Sequence, residues 1–200
     1  MHPNTDWCSI AGQPAICGKG VFMELPVKIR EKLEQLDSTT YNHSLRVWKM
    51  AVLMEAAYGM EDGSLSTAAL VHDIGKLYIP ERILDKHGGL TALEREVIGL
   101  HPYYGYRLLK DHGMDEEVGR LVLYHHGMNP ALAKSLPEYH GVSVVDRAKM
   151  LHTIDAFEAL TTDRPYRRRM SVRQAADFLE GQEGYHSVAL SFLRENAVDF

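Results

Sequence analysis

The sequence predicts an all-α protein, a helical bundle that ends in a pair of C-terminal helices. Apolar residues recur at the three- and four-residue spacing of a helix in almost every segment of the chain. Two capping boxes, which open at Thr91 and Ser171, mark helix starts. The sequence also lacks the alternating runs rich in Val, Ile and Thr that are typical of strands.

The first half of the chain divides into helices at serine, threonine, glycine and proline. Residues that favour helix starts stand at three places, Pro26, Ser38 or Thr39, and Ser64 or Ser66. Residues that end or interrupt helices stand between them, at Gly59, Gly63, Gly75 and Pro80. The helix before Gly75 therefore ends in the sequence AALVHDIGK.

Further helices are predicted in the second half of the chain. The helix that Thr91 caps is expected to continue to about Lys110, and Asp115 opens the next one. The stretch 127–141 contains two prolines and is predicted to be mainly loop. The last helices are predicted over about 142–162, 172–180 and 186–196.

Length and composition indicate one soluble domain over residues 26–200, preceded by an N-terminal extension over residues 1–25. The chain has 200 residues, of which 45% are hydrophobic and 24% are charged. We expect a cytoplasmic protein without a membrane partner, because no apolar run approaches the roughly 20 residues of a span and the N-terminus does not resemble a secretory signal. Cys8 and Cys17 are expected to be thiols in a reducing compartment.

The net charge of −5 argues against a nucleic-acid polymer as partner. It leaves room for a small phosphorylated substrate, because bound metal ions can supply positive charge locally.

Seven histidines and aspartates lie at helix ends or on apolar helix faces, and they are His43, His72, Asp73, His101, His125, His126 and Asp155. Each one alone fits a structural role. A buried, ionised carboxylate without a partner is costly, however, so something must compensate Asp73 and Asp155. Four antiparallel helices that converge on one point would bring the seven together as ligands of a binuclear metal centre. Imidazole and carboxylate ligands suit iron, manganese or zinc.

The order of these residues resembles the ligand series of the HD-domain superfamily, and more narrowly its HD-GYP branch of cyclic di-GMP phosphodiesterases. The blocks HDIGKLYIPERILDKHGGLTALEREVIGLHPYYGYRLL and DAFEALTTDRPYRRRMS carry the likeness, which covers about residues 41–171. The resemblance implies an HD-domain helical bundle that hydrolyses cyclic di-GMP or a related nucleotide phosphodiester. It also implies two divalent ions, with iron or manganese expected, held by the seven residues and bridged by Asp73.

The sequence departs from the HD-GYP pattern at two places. Gly127 replaces a glutamate, and MNPALAKSLPEYHG replaces the Gly-Tyr-Pro loop, which is implicated in substrate recognition. Thr39 stands where some members have a glutamate that helps to hold a third metal, which implies two ions here.

The resemblance also implies a mechanism, in which a hydroxide activated by the two metals attacks phosphorus and Asp73 is catalytic. Lys76 lies one turn beyond His72, where its ammonium could stabilise charge on the phosphate or protonate the leaving oxygen. A lysine at a helix end can equally be a solvated residue that interacts with the helix dipole.

Three further residues of the later block have two interpretations each. Arg164 and Arg167 could bind a second phosphate through bidentate hydrogen bonds, or they could fix the turn before Ser171. His152, one turn before Asp155, could orient a metal ligand or be a buried histidine without a catalytic role.

Two alternatives to a phosphodiesterase stay open. Some HD-domain proteins with nearly the same ligands are diiron oxygenases, and oxygen-dependent turnover of an organic substrate would identify one. A metal-bound signalling module that binds a nucleotide or a protein partner would hold stoichiometric metal without turnover. A homodimer is a further possibility that the sequence leaves open.

Overall fold

A computed structural model describes residues 25–60, 62–86, 88–127, 138–139, 142–163 and 167–196. The helices in this part of the chain are α1 (Val27–Leu33), α2 (Ser38–Tyr58), α3 (Ser64–Val71), a 3-10 helix (Ile74–Tyr78), α4 (Glu81–Leu84), α5 (Ala92–Ile98), α6 (His101–Asp111), α7 (Glu116–Tyr124), α8 (Val144–Thr161), α9 (Val172–Glu180) and α10 (Ser187–Asn196). The predicted all-α class is confirmed.

Helix α3 forms the centre of the bundle. All eight of its residues are buried, and α2, α7 and α8 pack around it. Its sequence, SLSTAALV, has no charged residue and consists mostly of small side chains, so neighbouring helices can approach it from every side. The ends of α2, α3, α7 and α8 are thereby held in one rigid core, which positions the residues that follow α3 and α7.

The C-terminal pair closes the bundle, as the sequence predicts. Helices α9 and α10 pack against each other, and both contact α8. Leu179, Leu190 and Leu193 belong to the same apolar cluster as the residues of α2, α3, α7 and α8. The chain therefore has one continuous core within its described part.

Two predictions about helix starts and ends were wrong. The helix opened by Thr91 does not continue to Lys110, because the chain turns at Gly99 and Leu100 and a separate helix, α6, begins at His101. The cap of α2 is Asp37, not Ser38 or Thr39. Its carboxylate accepts hydrogen bonds from the backbone N–H groups of Thr39 and Thr40, and aspartate is as good a cap as serine.

The predicted loop over 127–141 contains one strand of a small hairpin. Strand β1 (Glu138–Tyr139) pairs antiparallel with β2 (Val142–Ser143), and Glu138 lies opposite Ser143. Most of this stretch lies outside the described residues, as does the predicted N-terminal extension with Cys8 and Cys17. None of the helices in the described ranges combines the length and apolar character that crossing a membrane requires.

Candidate metal centre

Five helices contribute the seven predicted ligands, one more than the four that the sequence suggested. His43 and Asp155 project from the middle of α2 and α8, and His101 is the first residue of α6. The other four follow helix C-termini, His72 and Asp73 after α3 and His125 and His126 after α7. The core that surrounds α3 therefore brings together groups from distant parts of the sequence.

Three of the imidazole rings are oriented by the backbone of the preceding turn. Nδ1 of His72, His101 and His125 each donates to the carbonyl oxygen three residues earlier, at 2.8, 2.8 and 2.6 Å. A carbonyl oxygen can only accept, so in each neutral ring the proton is on Nδ1 and Nε2 carries a lone pair. All three rings thus present a free lone pair to the centre.

The arrangement of these lone pairs favours a positive group between them. Nε2 of His101 lies 3.3 Å from Nε2 of His125, and both atoms are acceptors in the neutral rings. Nε2 of His72 is buried and has no hydrogen-bond partner among the described residues. Buried polar atoms are normally paired, so this cluster is incomplete as the protein alone.

Asp73 lies between two groups of histidines. Its Oδ2 atom is 3.5 Å from Nε2 of His72 and 3.8 Å from Nε2 of His43, whereas Oδ1 is 3.3 Å from Nε2 of His101. Asp155 joins the group that contains His43, because the Oδ1 atom of Asp155 lies 3.0 Å from Nε2 of His43. A carboxylate with one oxygen directed to each group has the geometry of a bridging ligand.

The residues fit divalent metal ions. Four overlapping sets of three residues could each hold an ion, because within each set one donor atom per residue lies within 4.8 Å of the other two. These sets are His43–His72–Asp73, His72–His125–Asp155, His101–His125–His126 and His126–His152–Asp155. Ligands at about 2.0–2.2 Å from one ion stand roughly 3.0–3.5 Å apart, which agrees with the separations around Asp73. Nitrogen and oxygen donors without sulfur suit iron, manganese or zinc.

The protonation states of the cluster also favour a cation. Burial lowers the pKa of His101 and His125 below the ordinary value, and it lowers the pKa of His126 to about 4. Burial alone would raise the pKa of Asp73, but Lys76 and the neighbouring histidines hold it well below the ordinary value. At neutral pH these three imidazoles are therefore neutral and the carboxylate of Asp73 is ionised, the forms that bind metals.

His43 differs from these three rings. Burial by itself would lower its pKa, but hydrogen bonds to Asp155 and Glu158 outweigh burial and raise the pKa of His43 to about 9. A metal ion would therefore have to displace a proton from this ring.

Glu158 is a residue of this site that the sequence reasoning missed. Its side chain is 1% exposed, and its carboxylate accepts a hydrogen bond from Nδ1 of His43 and another from Nε of Arg46. A carboxylate behind a histidine fixes the ring and leaves Nε2 to bind a metal. The signal was present in the sequence, because Glu158 follows Asp155 by one turn on α8 and faces the same side.

Gly75 determines how closely α6 approaches the centre. A Cβ atom at this position would lie 2.0 Å from the carbonyl oxygen of His101 and 2.5 Å from the backbone nitrogen of Gly105. Only glycine permits this contact, so Gly75, two residues after Asp73, and the start of α6 lie directly against each other. The sequence assigned Gly75 the role of ending a helix and did not indicate this contact.

Lys76 lies at the edge of the cluster, as predicted. Its Nζ is 2.7 Å from Oδ2 of Asp73, and about a quarter of the side chain is exposed. The ammonium is therefore held between the buried carboxylate and solvent.

The structure favours a structural role for Arg167. Its guanidinium donates to the main-chain carbonyl oxygens of Ala159 and Leu160, at the C-terminal end of α8. These bonds satisfy carbonyls that a helix end leaves open. Arg164 lies outside the described residues, so its predicted role in binding phosphate stays a prediction.

A comparison with family profiles assigns the fold and the ligand series to one class. The profile of the HD domain family matches residues 40–160, a range that contains all seven predicted ligands. The chain therefore belongs to the HD domain family. The prediction of an HD domain is confirmed, whereas the region that replaces the Gly-Tyr-Pro loop lies mostly outside the described residues.

Among curated proteins, the chain is similar to enzymes that act on cyclic dinucleotides. It is 30% identical over 149 residues to a cyclic di-GMP phosphodiesterase of Pseudomonas aeruginosa, a match that covers 72% of this chain and 36% of that protein. It is also 30% identical over 145 residues to the 3'3'-cGAMP-specific phosphodiesterase 3 of Vibrio cholerae, with coverage of 70% and 31%. The chain thus spans about a third of the length of these relatives.

Among solved structures, the HD domain of the phosphodiesterase PgpH from Listeria monocytogenes in complex with cyclic-di-AMP has the same fold. The TM-score is 0.60 at 18% sequence identity, and the match covers 84% of this chain and 92% of that one.

Proposed function

We propose that this chain is a metal-dependent phosphodiesterase that hydrolyses a cyclic dinucleotide at a binuclear centre. The observation that carries the proposal is the pair of Nε2 atoms in His101 and His125, two acceptors that face each other at 3.3 Å inside a buried cluster of histidines and carboxylates. A cation is the simplest group that satisfies both atoms.

Two subsites follow from the orientation of Asp73. His43 and His72 lie near its Oδ2 atom, and Asp155 contacts His43. His101 lies near Oδ1 and forms a group with His125 and His126. We assign one divalent ion to each subsite, with iron or manganese expected. Two such ions, when bound, would lower the pKa of a water molecule and neutralise the charge of a phosphodiester.

The protein residues around this pair would orient and neutralise the reacting groups. Glu158 holds the ring of His43, and the backbone carbonyls hold those of His72, His101 and His125. Lys76 is the cation nearest to Asp73 on the side that solvent reaches, so its ammonium can contact a phosphate oxygen or donate a proton to the leaving oxygen.

The substrate class rests on the relatives. The two curated relatives are named for hydrolysis of cyclic di-GMP and 3'3'-cGAMP, and the structural neighbour holds cyclic-di-AMP. A dinucleotide of this kind is a small dianion, and metal ions at the centre would supply local positive charge to bind it despite the chain's net charge of −5.

The test is a hydrolysis assay on cyclic di-GMP, 3'3'-cGAMP and cyclic-di-AMP with protein purified without oxygen and loaded with Mn²⁺ or Fe²⁺. Chromatography would show linear dinucleotide or mononucleotide products. The proposal predicts turnover of at least one substrate by the wild type and none by Asp73→Ala. Stoichiometric metal without hydrolysis of any of the three would contradict it, and would favour the signalling module. Turnover that requires O₂ would favour the oxygenase.

A further inference from the structure

His152 is a histidine beside the centre to which the proposed function gives no role. It lies on α8 one turn before Asp155, so that both side chains face the same side of the helix. Its ring is T-shaped to that of His126, with 5.6 Å between the ring centres. The two residues therefore meet at the edge of the cluster.

The ring of His152 is fixed in place by Tyr185, which precedes α10. The two rings are stacked with 4.9 Å between their centres and an angle of 4° between their planes. This stacking joins the C-terminal pair of helices to the centre. It also restricts the direction in which the nitrogen atoms of His152 can point.

One nitrogen of His152 is left without a partner. Nδ1 is buried and makes no hydrogen bond within the described ranges of the chain. A donor atom of His152 lies within 4.8 Å of donor atoms of both His126 and Asp155. His152 thus has a buried, unpaired nitrogen and a ring nitrogen close to a second imidazole and a carboxylate. Buried polar atoms are normally paired, so this group of three favours an occupant.

We propose that His126, His152 and Asp155 form a third divalent-cation position at the outer edge of the binuclear centre. Two histidines and one carboxylate are a ligand set that holds Fe²⁺ or Zn²⁺ while leaving coordination positions open. This position rests on the proposed metal centre and extends it. It differs from the third position that the resemblance associates with residue 39, since His152 and Asp155 lie on α8 and Thr39 lies in the first turn of α2.

The third ion binds more weakly than the other two. It shares two residues with the inner subsites, Asp155 and His126. One oxygen of Asp155 already faces His43 and His72, and His126 also belongs to the subsite of His101. The third ion also lies close to two other cations. Of the three ligands, His126 is the exposed one, so solvent or a phosphate oxygen of the substrate can complete the coordination shell. We therefore expect this ion to be the last to bind and the first to be lost on dilution.

The test counts Mn²⁺ bound to the full chain after removal of metal and titration with the ion. The wild type should bind three equivalents, the third at higher Mn²⁺ concentration. His152→Phe keeps a ring to stack on Tyr185 but has no ligand atom, so it should bind two. His112→Phe, a matched change at the end of α6, should still bind three. Equal stoichiometry in wild type and His152→Phe would overturn the proposal.

Crystals of the wild type soaked in Mn²⁺ give a second test that does not depend on the folding of a variant. An anomalous peak within about 2.5 Å of a nitrogen of His152 is the expected result. Peaks at the two inner positions alone would overturn the third position and leave the proposed function standing. No peak anywhere in the cluster would remove both.

Discussion

Nε2 of His101 and Nε2 of His125 face each other at 3.3 Å, and each ring donates its Nδ1 proton to a backbone carbonyl. Two lone pairs at this distance repel unless a proton or a metal ion lies between them. Burial lowers the pKa of both rings, so a shared proton is unfavourable at neutral pH. This geometry therefore supports the proposed metal centre.

Metal removal should destabilise the protein. A ligand that binds only the folded chain contributes about 2.7 kcal/mol at a concentration of 100 times its Kd, and two ions contribute more. Thermal unfolding in excess Mn²⁺ should therefore occur at a clearly higher temperature than unfolding in EDTA. Identical melting curves in the two solutions would show that the cluster does not bind metal in the folded state.

Lys76→Met should separate metal binding from turnover. The substitution removes the ammonium and keeps the length of the side chain, while all seven predicted ligands remain. We expect a metal content equal to that of the wild type and a kcat reduced by about 10²-fold or more. Arg82→Met, a matched change on α4, should change neither. Loss of metal in Lys76→Met would show that the lysine supports Asp73 instead of the reaction.

Glu158→Gln should weaken the centre through His43. Glutamine can still contact the ring but cannot hold its proton as strongly, and outer partners of this kind are worth about 10- to 100-fold in metal affinity or activity. Glu55→Gln is the matched control, because Glu55 is also buried on a helix of the bundle but contacts Ser66 instead of a predicted ligand. Mn²⁺ titration should show weaker binding in the first variant only. Equal affinities in the two variants would remove Glu158 from the site.

Glu55 should make stability depend on pH. Burial raises the pKa of Glu55 from 4.5 to about 7, although the hydrogen bonds from Ser66 by themselves would lower it. The folded chain then keeps a proton that the unfolded chain has lost, so stability falls as pH rises from about 4.5 to about 7 and the loss is complete above that range.

Glu55→Gln removes this ionisation and retains an oxygen that can accept from the backbone of Ser66. The variant should be more stable than the wild type at pH 8 by a few kcal/mol, and of similar stability at pH 4.5. Urea unfolding at both pH values measures the difference, with the exposed Glu31→Gln as control. A difference that does not change with pH would show that folding does not raise the pKa of Glu55.

Gly75→Ala should disrupt both the fold and the centre. The added Cβ would collide with the backbone at the start of α6, where no flexible side chain can move aside. Overpacking of this kind costs about 1–3 kcal/mol or more, and any relief moves His101. We expect a lower melting temperature together with weaker metal binding. Gly181→Ala, where a Cβ meets nothing within 4 Å, should be neutral; an equally neutral Gly75→Ala would contradict the close contact.

The sequence singled out the seven residues that the structure brings together because their types and positions are unusual for helix faces and ends. Their role as metal ligands stays a prediction. The sequence predicted the capping boxes at Thr91 and Ser171 because a cap is a local interaction between residues three apart. It missed the break at Gly99 and Leu100, although Pro102, which lies in the first turn of α6 and would disrupt the interior of one continuous helix, marks a helix start there. Glu158 was missed because its partner, His43, is 115 residues away in the sequence.

The stacking of His152 on Tyr185 also depends on contacts between distant helices. The sequence placed His152 one turn before Asp155, but it gave no sign that a tyrosine before α10 would hold the ring. Arg167 was also left open by the sequence, which allowed a phosphate contact, whereas in the structure it donates to the C-terminal end of the preceding helix, α8.

Metal analysis of protein purified without oxygen, with the wild type and Asp73→Ala compared side by side, tests the binuclear centre most directly. Asp73 contacts both histidine groups, so its loss should leave neither subsite intact. We predict at least two equivalents of iron or manganese in the wild type and almost none in the folded variant. A wild-type chain that is folded, free of metal and unable to take up Mn²⁺ or Fe²⁺ would contradict the centre and the function proposed for it.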